Sequence, residues 1–128
     1  MKMRIVVACA ALCFVLVALP GHALAHANLL SSNIHNNQVF KVGHAPKMIT
    51  GRFAEDLDPK SSWMAVFEGV ADHGLVTEKQ HSVVNYKNPK VMTLRLPAFQ
   101  KDKYYFIWYT RSVDDGHYAA GIVYFQVR

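Results

Sequence analysis

Beyond residue 26 the apolar positions of this chain come in short runs, many of them alternating with polar ones, and Pro, Gly, Asn and Asp break the runs. No stretch repeats apolar residues at i, i+3, i+4 and i+7, the spacing of an amphipathic helix. The pattern therefore predicts short strands. Residues 47–53 set Met48, Thr50 and Arg52 on one face and Ile49, Gly51 and Phe53 on the other. Residues 62–67 alternate Trp63, Ala65 and Phe67 with Met64 and Val66 and read as a buried strand. Residues 91–96 alternate Val91, Thr93 and Arg95 with Met92, Leu94 and Leu96, and Pro97 ends the run. Residues 104–110 are aromatic and rich in strand formers, and residues 121–127 close the chain as a last strand.

Weaker segments fill the gaps. Residues 27–31 predict a first strand and 39–42 a short second one. Residues 75–84 read as two short strands. Turn-formers mark 31–33, 36–37, 55–59, 85–89 and 112–116, and 68–74 reads as a connection. Residues 100–103 read as a polar turn. About seven to nine short strands with such punctuation predict an all-β protein, an immunoglobulin-like Greek-key β-sandwich or barrel. The tryptophans Trp63 and Trp108 and the tyrosines are expected mostly in its core. The methionines Met48, Met64 and Met92 lie in separate predicted strands and are expected to pack there.

The first 25 residues differ in kind. Lys2 and Arg4 precede an apolar run over 5–19, Pro20 and Gly21 break it, and Ala23 and Ala25 supply the small residues of an A-x-A cleavage site. The expectation is a signal peptide over 1–25 and a single domain over 26–128. Removing 25 of 128 residues leaves 103, enough for one core. Both cysteines, Cys9 and Cys13, fall in the leader, so the mature chain carries no thiol and no disulfide. The net charge of +5 includes Lys2 and Arg4, and the other basic residues are scattered rather than striped. A nucleic-acid groove is not indicated. No later segment is apolar enough to enter a membrane.

Cleavage after Ala25 gives the chain its candidate chemistry. His26 becomes the first residue, and its α-amine, of ordinary pKa about 7.7–8.0, gives up its proton readily to a metal. The amine and imidazole of one residue form a chelate, but a tight site needs a second pair of donors. Asp115 and His117 supply one, because residues two apart in an extended segment project to the same side, and Gly116 lets the backbone adjust. Three nitrogens and one oxygen suit Cu(II) above Zn(II), and the absence of a soft donor disfavours Cu(I). Asp114-Asp115-Gly116-His117 reads equally well as a plain turn, and residue chemistry alone leaves both readings open. His35, His44, His73 and His81 read as solvated loop residues. Trp108 shortly precedes the Asp115 loop, a position from which bound copper would quench its fluorescence.

From His26 to Arg128 the chain resembles the CopC-type periplasmic copper-resistance proteins. The likeness rests on His26-Ala27-Asn28-Leu29-Leu30-Ser31-Ser32, on Phe53-Ala54-Glu55, and on Tyr105-Phe106-Ile107-Trp108 leading into Ser112-Val113-Asp114-Asp115-Gly116-His117. Gly121 and Tyr124-Phe125-Gln126-Val127 complete it. The resemblance implies a periplasmic Cu(II)-binding protein, not an enzyme, with copper ligands at His26, Asp115 and His117. It gives Glu55 a supporting position beside the metal. It also suggests a monomer that exchanges copper with a membrane copper importer or another periplasmic copper protein. Some relatives carry a methionine-rich segment that this chain lacks, and the usual proline after the opening serines is replaced by residues 33–37.

Three other readings follow from the same residues. A copper oxidase built on an N-terminal histidine brace would share His26 and a second histidine. Cleavage after Ala23 would start the chain Leu24-Ala25-His26, a tripeptide able to wrap Cu(II) or Ni(II) in its own nitrogens. A secreted β domain without a metal is the plainest.

Overall fold

The computed structural model describes residues 26–69, 74–77 and 82–128. The expected leader over 1–25 and the loop histidines His73 and His81 lie outside the described residues. Among the described residues nine strands form two sheets: β1 (Leu29–Ser32), β2 (Gln38–Phe40), β3 (Met48–Phe53), β4 (Trp63–Glu68), β5 (Leu75–Thr77), β6 (Ser82–Val84), β7 (Val91–Arg95), β8 (Asp102–Arg111) and β9 (Tyr118–Val127). One sheet has the order β1-β3-β7-β6 and the other β2-β9-β8-β4-β5. No helix occurs among the described residues. The architecture is the predicted Greek-key β-sandwich.

The period of two decides what lies between the sheets. Ile49, Gly51 and Phe53 of β3 point inward, as do Met92 and Leu94 of β7. From the facing sheet come Met64 and Val66 of β4, and Tyr104, Phe106 and Trp108 of β8. The β8–β9 ladder sets Trp108 opposite Gly121, Phe106 opposite Val123 and Tyr104 opposite Phe125. Phe53 meets Trp108 edge-on at 5.8 Å between ring centroids. Two of the three methionines beyond residue 25, Met64 and Met92, are wholly buried in this core.

Several boundaries differ from the expectation. The first strand begins at Leu29 rather than residue 27, because the Asn28 amide bonds back to the His26 carbonyl at 2.6 Å in a tight turn. The expected polar turn at 100–103 gives way to β8 from Asp102, and β9 begins at Tyr118 rather than 121. In both cases the partner strand extends the ladder, which runs from Asp102↔Val127 to Arg111↔Tyr118. The two weak strands over 75–84 exist but separate: β5 pairs with β4 and β6 with β7, in different sheets. Strand β2 runs parallel to β9.

The aromatic residues are divided between the two faces, and the expectation of a mostly internal set is corrected. Tyr104, Tyr105 and Trp108 are buried, whereas Tyr86, Tyr118 and Tyr124 are exposed. Odd-numbered positions of β8 face outward, so Tyr105 stacks on Phe67 and Tyr109 on Trp63 across the outer surface of the five-stranded sheet.

Gly121 is required by its cross-strand partner. A Cβ at this position would come within 2.4 Å of the Trp108 ring, which is packed on its other side by Phe53. Gly121→Ala is expected to destabilise the domain by about 1–3 kcal/mol through overpacking, measured as a lower midpoint in denaturant unfolding.

Candidate metal centre

Three segments meet at one end of the sandwich. The first, 26–29, lies along β3: Leu29 pairs with Phe53, and the Ala54 amide donates to the Asn28 carbonyl at 2.9 Å. The second, 54–58, runs on from β3 beside the end of β8. There Leu57 bridges to Ser112, the Asp58 amide donates to the Arg111 carbonyl, and the Val113 amide donates to the Asp56 carbonyl. The third is the β8–β9 connection, 112–117. The first and third are joined through the core. Thr110, wholly buried on the inner face of β8, donates its hydroxyl to the Ala27 carbonyl at 2.7 Å.

This convergence brings His26 to His117. Their ring centroids lie 5.6 Å apart, edge to face at 65°. His26 Nδ1 is buried and has no hydrogen-bond partner. Glu55, expected in a loop, is indeed in one but buried, with only 7 % of its surface exposed, and its Oε2 is likewise buried without a partner. Buried polar atoms are nearly always satisfied, so two orphans in converging segments need a reason. A nitrogen and a carboxylate oxygen left free in this way fit the donor chemistry of a borderline divalent metal.

The loop itself is closed by its own backbone. The Ser112 amide donates to the His117 carbonyl at 2.9 Å, and the Gly116 amide to the Ser112 carbonyl at 3.0 Å. Gly116 has φ +73°, a left-handed conformation that glycine adopts without the penalty a Cβ imposes. The Asp115 carboxylate takes the His117 amide on Oδ1 and His117 Nδ1 on Oδ2, both at 2.9 Å. Asp115 thus fixes the His117 ring and leaves Nε2 as the ring nitrogen directed elsewhere, the arrangement by which a carboxylate orients a metal-binding imidazole.

Sequence reasoning proposed His26, Asp115, His117 and Glu55. The structure joins His26 to His117 and Asp115 to His117, and sets Glu55 in the segment between them. Among the described residues, no three His, Cys, Asp or Glu side chains converge as a ready-made metal cluster. His26 is still followed backward by Ala25 in this chain, so the α-amine that completes the expected set is an amide here. Four contributing residues were missed. Thr110 is the polar member of the inward series Tyr104, Phe106, Trp108, and that parity was a readable signal. Arg111, Asp58 and Ser62 brace the loop, and nothing in their spacing announced it.

The fold and this end of it define a class: a small two-sheet Greek-key protein with a histidine pair and carboxylates gathered at one end. The CopC domain model matches residues 29–128. The chain belongs to the CopC family. Among solved structures it is similar to CopC from Methylosinus trichosporium OB3b, with a TM-score of 0.69 and 22 % identity over 80 % of this chain and 93 % of that one. It is also similar to PcoC, a methionine-rich copper resistance protein from Escherichia coli, with a TM-score of 0.65 and 26 % identity over 81 % of this chain and all of that one. No sequence among the curated proteins matches it.

The Asp115 carboxyl is held below the usual aspartate value of 3.8, first by the His117 amide; hydrogen bonding and charge from the His117 ring and a hydrogen bond from Ser112 add to this, and desolvation opposes it. A folded value below the unfolded one means that the contribution to stability is full above the unfolded value and is lost as pH falls through the folded value. In metal-free protein, an NMR titration of the Asp115 carboxyl carbon is expected to show this depressed midpoint. His117→Ala should shrink the depression without abolishing it, because the backbone amide remains.

Proposed function

We propose that cleavage after Ala25 frees the His26 amine and that the mature protein is a periplasmic carrier or buffer of one Cu(II) ion. His26 contributes its amine and Nδ1, His117 its Nε2, and Asp115 a carboxylate oxygen, since the ionised carboxylate keeps lone pairs beyond those it gives to His117. Glu55 stands beside the ion and holds the N-terminal residue or a bound water. The observation that carries this reading is the His26–His117 pair, in which a buried Nδ1 is left without a partner. The donors are nitrogen and oxygen, and Met64 and Met92 are enclosed in the core. That set favours Cu(II), at the top of the divalent affinity series, over Cu(I). Four protein donors around the ion leave little room for a substrate, which favours carriage over oxidation chemistry.

Ligand donors must be unprotonated to bind, so uptake of copper releases protons and affinity falls with pH. Titration of Cu(II) into protein beginning at His26 is expected to reach one equivalent and to quench Trp108 fluorescence. An Asp115→Ala, His117→Ala double variant should lose that binding, and Glu55→Gln should weaken it about ten-fold. Tight binding that persists in the double variant, or that is retained near about pH 4, would contradict the reading.

A further inference from the structure

The side chain of Arg111 reaches the same loop from its outer side. Its Nε donates to the Gly116 carbonyl at 3.3 Å, the carbonyl lying between the two loop donors. Its Nη1 lies 3.7 Å from Asp58 Oδ2, and its guanidinium covers the Tyr118 ring at 5.4 Å. Its backbone is pinned as well, the amide to Ser62 Oγ at 3.0 Å and the carbonyl to the Asp58 amide at 2.9 Å. Asp58 is in turn held by the Lys60 amide and the Ser61 hydroxyl, each at 3.0 Å. The other backbone bonds that shape 112–117 come from inside the loop or from the neighbouring backbone, at Ser112, Val113, Asp114, Gly116 and His117. Among the described residues, Arg111 is the side chain outside the loop whose bond to the turn stands out.

We propose that Arg111 is a positioning residue for the metal site: its fork, anchored on Asp58 and Tyr118, fixes the Gly116 peptide and so the relative placement of Asp115 and His117. The proposal rests on the copper reading above. It runs against simple electrostatics, because a cation beside a cation site weakens binding by repulsion. The Asp58 carboxylate offsets that charge, and the geometric role outweighs what remains. Lysine keeps the charge but loses the planar fork, so the two effects separate by substitution.

The test compares mature wild-type protein with Arg111→Lys and Arg111→Gln. The measurements are Cu(II) affinity by competition, the copper hyperfine splitting by EPR, and, without metal, the His117 ring nitrogen shifts by NMR. Both variants are expected to bind about ten-fold more weakly, to change the hyperfine splitting in the same sense, and to alter the metal-free His117 signals. Wild-type behaviour in Arg111→Lys, or tighter binding in Arg111→Gln, would overturn the proposal in favour of charge alone or no role. If either variant unfolds, Asp58→Asn decides instead: it keeps the guanidinium and releases its anchor, and the same changes support the proposal while a wild-type spectrum and affinity overturn it. A His117→Ala control separates the two readings. If copper binding survives that change, the site itself fails and the role of Arg111 falls with it. If binding is lost there but unchanged in the Arg111 variants, only the present inference fails.

Discussion

One buried hydrogen bond sets the distance between the two halves of the site. Thr110 occupies the last inward position of β8, where its neighbours in the same row are Trp108, Phe106 and Tyr104. A hydroxyl enclosed there without a partner would cost about 1–3 kcal/mol. The Ala27 carbonyl satisfies it, and Ala27 is itself wholly buried. The N-terminal segment is therefore held against the end of β8 by the stability of the core. His26 follows one residue from that anchor on one side, and the Asp115–His117 loop begins two residues from it on the other.

Stability and function are divided between atoms in this corner. The loop 112–117 meets its backbone needs through Ser112, Gly116, Asp115 and Arg111, and its left-handed step is taken by a glycine. Asp115 spends both oxygens on His117 and leaves the far ring nitrogen free. Against that satisfied frame stand two buried atoms with nothing to bond, His26 Nδ1 and Glu55 Oε2. Among the described residues local consistency breaks down at these two atoms, where a ligand is expected, which is the usual mark of a functional end. The outer surface of the five-stranded sheet continues the frame, since Tyr118 supports Arg111 from β9 while Tyr109 and Trp63 stack behind it.

Much of this fold was legible because alternation is a local signal. Ile49, Gly51 and Phe53, and Met92 and Leu94, were assigned to one face by period alone, and that face is the buried one. The Asp-x-His spacing and the His after an A-x-A site were likewise visible, since both depend on neighbours in sequence. What failed to show was set by pairing at long range. Residues 75–77 and 82–84 read alike, yet β4 takes one and β7 the other. Residues 118–120, where two alanines follow Tyr118, join β9 because β8 offers them partners. Tyr118 and Tyr124 are as apolar as Tyr104, and only their place in the β8–β9 register turns them outward. Arg111 gave no sign at all, because Asp58 meets it only after the sandwich closes and Gly116 only after β8 and β9 pair.

Under the proposed function one copper ion joins His26 to the β8–β9 loop, residues far apart in sequence. Pulsed EPR on Cu(II)-loaded protein beginning at His26 tests it most directly, because the remote nitrogens of coordinated imidazoles are counted from their modulation. The account expects two imidazoles in the wild type and one in His117→Ala. A single imidazole in the wild type, or two that survive the loss of His117, would contradict it.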